Sequence, residues 1–282
     1  MAKLQEELER LLVRLDEYEE DTVSVLRGEY VASVRDAADD IRERIEEMVT
    51  DDGRLDAGVD AVSRARLDAL RSVDATRAIW ESWRQRLDRV RTLNESYFAI
   101  AERAAIDVVQ LDDDVIDELV GQWPSGEQPG TGLAGRFYSM SEYHRRELAD
   151  TVTRHALGGS TKAQLRRELV GQTGMAERQA EQRLRDSTIQ FSRSINARKA
   201  DDLGYEYFKY FGPQDAITRP FCEELLEEGP VYTRQEIVEM DNGQTGAGSV
   251  MVAGGGYNCR HHWRPVRRRW FTEDEWQAQR AA

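Results

Sequence analysis

From residue 3 to residue 49, apolar side chains return every three or four positions. Leu4, Leu8, Leu11, Leu15, Tyr18 and Thr22 lie on one stripe, and Val23, Leu26, Tyr30, Val34, Ala37, Ile41, Ile45 and Met48 continue on a shifted one. This is the helical period; a strand, whose side chains alternate, cannot gather such residues on one face. The pattern predicts one long helix that ends at Thr50-Asp51-Asp52-Gly53. Its stripe is narrow and charge fills the other faces, so the helix needs a partner helix from its own chain or another. Residues 55–120 repeat the pattern with Val59, Val62, Leu67, Leu70, Val73, Ile79, Trp80, Trp83, Leu87, Val90 and Leu93, and extend it through Tyr97, Phe98, Ile106 and Leu111. Trp80 and Trp83, three residues apart, share a face and are expected in a core. Asp112-Asp113-Asp114 can cap a further short helix.

The pattern breaks at 121–136 (GQWPSGEQPGTGLAGR), which reads as a flexible loop or linker. A helical region follows over 137–203: a helix from about Ser141 to Ala156, a short one opened by a Thr161-x-x-Gln164 capping box, a break at Gly171-Gln172-Thr173-Gly174, and a helix from Met175 to about Leu203. After Gly204 the period changes. Tyr205 to Phe211 alternates and is aromatic, which favours a strand. Val231-Tyr232, Val250-Met251-Val252 and Trp263 to Trp270 are further strand candidates, with short helices at Phe221–Leu226 and Thr233–Met240 and a glycine-rich loop from Gly243 to Gly256. The expected fold is mainly α: an elongated bundle or hairpin over 1–120, a helical linker region, a small α+β domain over 204–270, and a helical or frayed tail over 271–282.

The charge balance excludes whole function classes. With 39 basic and 53 acidic side chains the net charge is −14, which repels phosphate at long range and argues against a general nucleic-acid binder. Lysine occurs only at Lys3, Lys162, Lys199 and Lys209; arginine with excess acid suits a halophilic host or a GC-rich genome. No apolar run approaches the roughly 20 residues that span a bilayer. The acidic, amphipathic N-terminus is unlike a secretory signal, so synthesis in the cytoplasm is expected.

Chemistry-bearing residues collect near the C-terminal end. Thr218-Arg219-Pro220-Phe221-Cys222 and Gly256-Tyr257-Asn258-Cys259-Arg260-His261-His262-Trp263-Arg264-Pro265 hold both cysteines and two of the four histidines. Cys222, Cys259, His261 and His262 are candidate zinc ligands, since thiolates and imidazoles are the right donors and a small domain gains stability from a metal. Against this, no C-x-x-C knuckle is present and adjacent histidines do not easily ligate one ion. A Cys222–Cys259 disulfide would close a loop of 37 residues, stabilising by about 3–4 kcal/mol in the chain-entropy model, but cytoplasmic assembly disfavours it. Two packed thiols with histidines at polar positions is the third reading. An HNH-type nuclease needs His before Asn across a ββα hairpin, and the order here is reversed. Arg260, Arg264, Arg267, Arg268 and Arg269, interleaved with Trp263 and Trp270, could contact DNA phosphates or an acidic partner, or pair with the chain's own carboxylates. Arg219 fits a structural role bonded to Asp215 or backbone carbonyls. His144 and His155 are expected at solvent or interface positions.

Taken in order, these residues resemble the phage Mu F-like minor head protein family of tailed viruses, also called the phage head morphogenesis family. The resemblance covers roughly 160–270. It rests on the helix start Thr161-Lys162-Ala163-Gln164-Leu165, the helix end Asn196-Ala197-Arg198, the aromatic strand leading to Gly212-Pro213-x-Asp215, Thr218-Arg219-x-x-Cys222, the Gly229-Pro230 turn, and Asn258-Cys259-Arg260-x-x-Trp263-x-Pro265. The family ending resembles His-x-x-Cys-Arg-Cys; here Tyr257 stands near the place of that His and His261 replaces the second Cys. The resemblance implies a virion protein present in few copies in the head. It would bind the portal or the major capsid protein and act in head assembly, packaging or genome delivery, with packaged DNA as a further contact and no membrane. It carries over no catalytic residue and no cofactor. A zinc-dependent enzyme acting on nucleic acid through the Cys/His cluster is the alternative.

Overall fold

The computed structural model describes residues 2–46, 49–50, 54–55, 73–104, 109–125, 128, 130–158, 160–227, 229–244 and 249–281. The element order is α1 (Ala2–Glu46), α2 (Val73–Glu102), α3 (Asp113–Val120), α4 (Gly132–Leu157), α5 (Lys162–Asp202), β1 (Tyr207–Phe211), α6 (Pro220–Glu227), β2 (Val231–Thr233), α7 (Arg234–Glu239), α8 (Val250–Ala253), β3 (His262–Val266), a 3-10 turn (Arg268–Trp270) and α9 (Glu273–Ala281). The protein is mainly helical, with one three-stranded sheet near its C-terminal end. No helix among the described residues is long and apolar enough to cross a membrane. The expected helix over 56–72 lies outside the described residues.

The predicted α1 stripe is a core stripe. Leu8, Leu11, Leu15, Val23, Leu26, Tyr30, Val34, Ala37 and Ile41 are all buried, so the partners its narrow apolar face requires come from its own chain. The chain divides into two compact units, one of residues 1–21, 86–119 and 185–282, the other of 22–85 and 120–184. The expected boundary at residue 204 is therefore not where the chain divides. The sheet is too small to bury its own faces and shares a unit with stretches of α1, α2 and α5.

In the unit of 22–85 and 120–184, Trp80, Trp83, Phe137 and Tyr30 form an aromatic cluster, Trp80 and Trp83 meeting edge to face at 5.6 Å. Two expectations are corrected here. The stretch 121–136 is not a free linker: α4 begins at Gly132, and Trp123 stacks on Trp80 at 6.2 Å. Gly130 and Gly135 approach so closely that a Cβ on Gly135 would sit 2.3 Å from the Gly130 carbonyl oxygen. Nor does the helix break at 171–174. Gly171 and Gly174 lie inside α5, where each costs about 1 kcal/mol relative to Ala, a deficit covered by burial of Leu165, Leu169, Ala176, Ala180 and Leu184 along one face. The capping box that opens α5 forms as predicted: the Thr161 N–H donates to Gln164 Oε1 at 2.8 Å. His144 is buried rather than at solvent, held by the Tyr30 hydroxyl at 2.6 Å and Gln179 Oε1 at 2.7 Å. His155 pairs with Glu168 at 2.7 Å.

In the other unit the sheet runs β2-β1-β3, antiparallel throughout. β1 alternates as its aromatic pattern predicts, with Phe208 and Tyr210 buried. β3 is buried on both faces and lies at the sheet edge, which is why Pro265, lacking an N–H, is tolerated within it. Val250-Met251-Val252, expected as a strand, is instead the helical turn α8. Of the two forms expected for the tail, the helical one is found, and it docks: Trp276 of α9 is buried and meets the Tyr207 ring at 4.7 Å.

Candidate functional site

The two C-terminal motif segments meet in space. Arg219 donates to the carbonyl oxygens of Gly255, at 3.0 Å, and of Tyr257, so its role is structural and its partners are backbone. Asp215 instead takes Arg260, with Arg260 Nη2 2.7 Å from both carboxylate oxygens, and this guanidinium holds the Asp215 carboxyl below the usual range. Thr218 Oγ1 accepts the Asp215 N–H at 2.9 Å and fixes the turn before α6. Asn258 adopts the left-handed region at φ +57°, which Asn tolerates better than most residues. Trp263 donates from its indole to the Val250 carbonyl at 3.1 Å.

β3 then sorts the residues between two clusters. Neighbouring side chains at a strand point to opposite faces, so His261 and His262 separate. His261 goes to the thiols: Cys222 Sγ lies 3.9 Å from Cys259 Sγ, which lies 3.5 Å from His261 Nδ1. His261 Nε2 is 2.7 Å from the Pro213 carbonyl oxygen, which can only accept, so Nε2 carries a proton. The Gly255 N–H donates to Cys259 Sγ at 3.1 Å. The Cys222 thiol, hydrogen-bonded to Cys259, is pushed up, and Cys259, which receives that bond and lies near Arg193, is pushed down.

The four-residue zinc set predicted from sequence is not brought together. Cys222, Cys259 and His261 converge, while His262 lies on the other face of the sheet. The Tyr210 hydroxyl occupies the remaining side, 3.4 Å from each sulfur. A closed structural zinc site takes four protein ligands, and the thiol cluster supplies three. It lacks the fourth ligand of a closed site, although its three ligand atoms lie within 4.8 Å of one another, and the two buried thiols pack against each other as a brace.

The opposite face carries a buried polar network that sequence reading did not find. His262 Nε2 lies 3.0 Å from Glu19 Oε2 and 3.6 Å from Asp16 Oδ1. Burial raises the Glu19 carboxyl to about 7, outweighing the Ser192 hydroxyl and the Arg264 and Arg193 guanidinium groups. Burial likewise raises Asp16 to about 6 and, with Arg264 beside it, pushes His262 down. Arg264 Nη1 donates to Asn94 Oδ1 at 3.2 Å, and Asn196 Nδ2 donates to the same oxygen at 2.7 Å. Tyr97 closes the edge by donating to the Pro265 carbonyl at 2.7 Å.

Arg193 of α5, also missed, ties the end of α8 to the Gly256–Pro265 segment. Its guanidinium donates to the carbonyls of Val252, Ala253, Cys259 and His261, the closest at 2.5 Å. A lone Arg on a helix carries no sequence signal for such a role, because its acceptors are backbone atoms some 60 residues away.

The arginine run is engaged internally. Arg264 is buried and so is off any free surface. Arg260 takes Asp215, Arg267 and Arg269 share Glu102, and Arg268 takes Glu273. Comparison of the chain with family profiles, curated proteins and solved structures finds no match.

Proposed function

We propose that this chain is a minor head protein of a tailed virus, related to the Mu F-like family it resembles, and that it acts by binding rather than by catalysis. In this reading it resides in the virion head near the portal and docks on portal or major capsid subunits during assembly, packaging or genome delivery. The observation that carries the reading is the use made of the shared motifs. Thr218, Arg219, Cys222, Asn258, Cys259, Trp263 and Pro265 converge in one unit and are consumed by turns, carbonyl contacts and packing. A reaction centre would leave such groups facing a substrate; the thiols and His261 are buried.

Because the α1 stripe is buried within the chain, docking falls to the apolar side chains that stay exposed. In the unit of 22–85 and 120–184, Tyr143 of α4 and Met175 of α5 are exposed and line one shallow depression with Val34 and Leu148. Val170 and Leu157 are exposed on the same two helices. Exposed apolar side chains on neighbouring helices suit contact with a helical subunit surface.

Co-expression with the portal ring protein of a tailed virus tests the reading. Co-purification with the ring, weakened in Tyr143→Ser with Met175→Ser while the fold is kept, is the expected result. Failure to bind portal or capsid subunits, together with metal-dependent nucleic-acid cleavage lost in His261→Ala or His262→Ala, would replace it with the enzymatic alternative.

A further inference from the structure

Asp16 and Glu19 stand three residues apart on α1, hence on one face of the helix. His262, the first residue of β3, reaches them from the sheet. One ligand atom from each of the three lies within 4.8 Å of the others. Glu19 is only 3% exposed and His262 is fully buried, yet Glu19 Oε1 and Asp16 Oδ1 have no hydrogen-bond partner. No Lys or Arg of the described residues forms an ion pair with either carboxylate. Both acids line a cleft of about 570 Å³, walled by Val13, Ile189, Phe211 and Pro213. Two desolvated carboxylates beside an imidazole keep acceptor oxygens left over and a path to solvent, and the Arg264 and Arg193 guanidinium groups act on them without forming an ion pair.

We infer that Asp16, Glu19 and His262 form a binding site for one divalent cation of the manganese–zinc class, reached through this cleft. The donor set selects the class: carboxylate oxygens suit Mg²⁺, Ca²⁺ and Mn²⁺, whereas imidazole suits Zn²⁺, Fe²⁺ and their neighbours, so a mixed set favours an ion that accepts both. Metal–donor bonds of about 2.0–2.2 Å hold adjacent donors roughly 3 Å apart, close to the 3.0 Å and 3.6 Å already separating the carboxylates from His262 Nε2. The ion would tie α1 to β3, joining residues 243 positions apart in sequence. The site stands apart from the thiol cluster and does not depend on the proposed head function.

Mn²⁺ titration of the full chain, followed by electron paramagnetic resonance, tests the assignment. The expected result is saturable binding of one Mn²⁺ per chain, with nitrogen coupling from an imidazole in the pulsed spectrum. Asp16→Asn and Glu19→Gln should each weaken binding by at least roughly 100-fold, the upper end of what loss of a mere outer-shell partner costs. Glu6→Gln, on an exposed stretch of the same helix, should leave it unchanged. Absence of saturable binding, bound Mn²⁺ without nitrogen coupling, or equal affinity in wild type, Asp16→Asn and Glu19→Gln would overturn it. The last pattern is what diffuse attraction to a chain of net charge −14 produces. Circular dichroism checks that each variant folds; should Glu19→Gln fail to, Asp16→Asn, at a partly exposed position, decides alone.

Discussion

Adding one methyl group at Gly255 tests the thiol brace most directly. A Cβ built there would lie 2.2 Å from Cys222 Sγ, where unstrained heavy atoms keep about 3.5–4.0 Å. The sulfur must retreat by more than 1 Å or so, and it has little room: Tyr210 Oη is 3.4 Å away and Cys259 Sγ 3.9 Å. Overpacking of this kind costs about 1–3 kcal/mol, and the short distance places Gly255→Ala at the upper end. The backbone adds nothing, because no positive φ is required at Gly255. Cys222→Ala alone removes a small buried group and costs about 1–2 kcal/mol. In the double variant the methyl group enters the space the sulfur leaves. The double variant should then be about as stable as Cys222→Ala, a favourable coupling of about 1–3 kcal/mol in the mutant cycle. Urea unfolding under reducing conditions, with unchanged slopes, measures it. A Gly255→Ala protein within about 0.5 kcal/mol of wild type, or a double variant as unstable as the two single effects added, would refute the packing argument.

Two further outcomes are expected. Arg193→Met strips the donors from the Val252, Ala253, Cys259 and His261 carbonyls and should cost about 3–5 kcal/mol; Arg193→Lys, with one compact ammonium in place of a fork, should recover only part of this by urea unfolding, and full recovery would show that charge alone suffices. The Glu236 carboxyl is pulled from the usual range to about 2, chiefly by Arg280, which meets both its oxygens at 2.9 Å. Its folded-state value is depressed, so its contribution is complete above about pH 4.5 and is lost as pH falls toward 2. Solvent screening at this partly exposed pair limits the contribution to about 0.5–1 kcal/mol, and Glu236→Gln should flatten the acid limb of stability by that amount; an unchanged limb would show that the pair contributes nothing.

What the order of residues specified by itself is what depends on near neighbours. The stripe of α1 needs only the helical period. β1 follows from alternating aromatics, and the starts of α5 and α7 follow from hydroxyl and amide or carboxylate groups three residues apart, Thr161 with Gln164 and Thr233 with Glu236. The meeting of Cys222 with Cys259 was foreshadowed by the clustering of motif residues in two segments. Tertiary structure decided the rest, because the deciding contacts are distant in sequence. Continuity of α5 through Gly171 and Gly174 rests on burial of its flanking leucines, which outweighs a local helix penalty. The docking of α9 rests on Tyr207 and on Arg280 reaching Glu236. Sequence placed His261 and His262 side by side as alternatives for one site, and strand alternation sent them to opposite faces. On its face His262 found Asp16 and Glu19, two acids that look like any others on a charged helix until a strand from the far end of the chain packs against them.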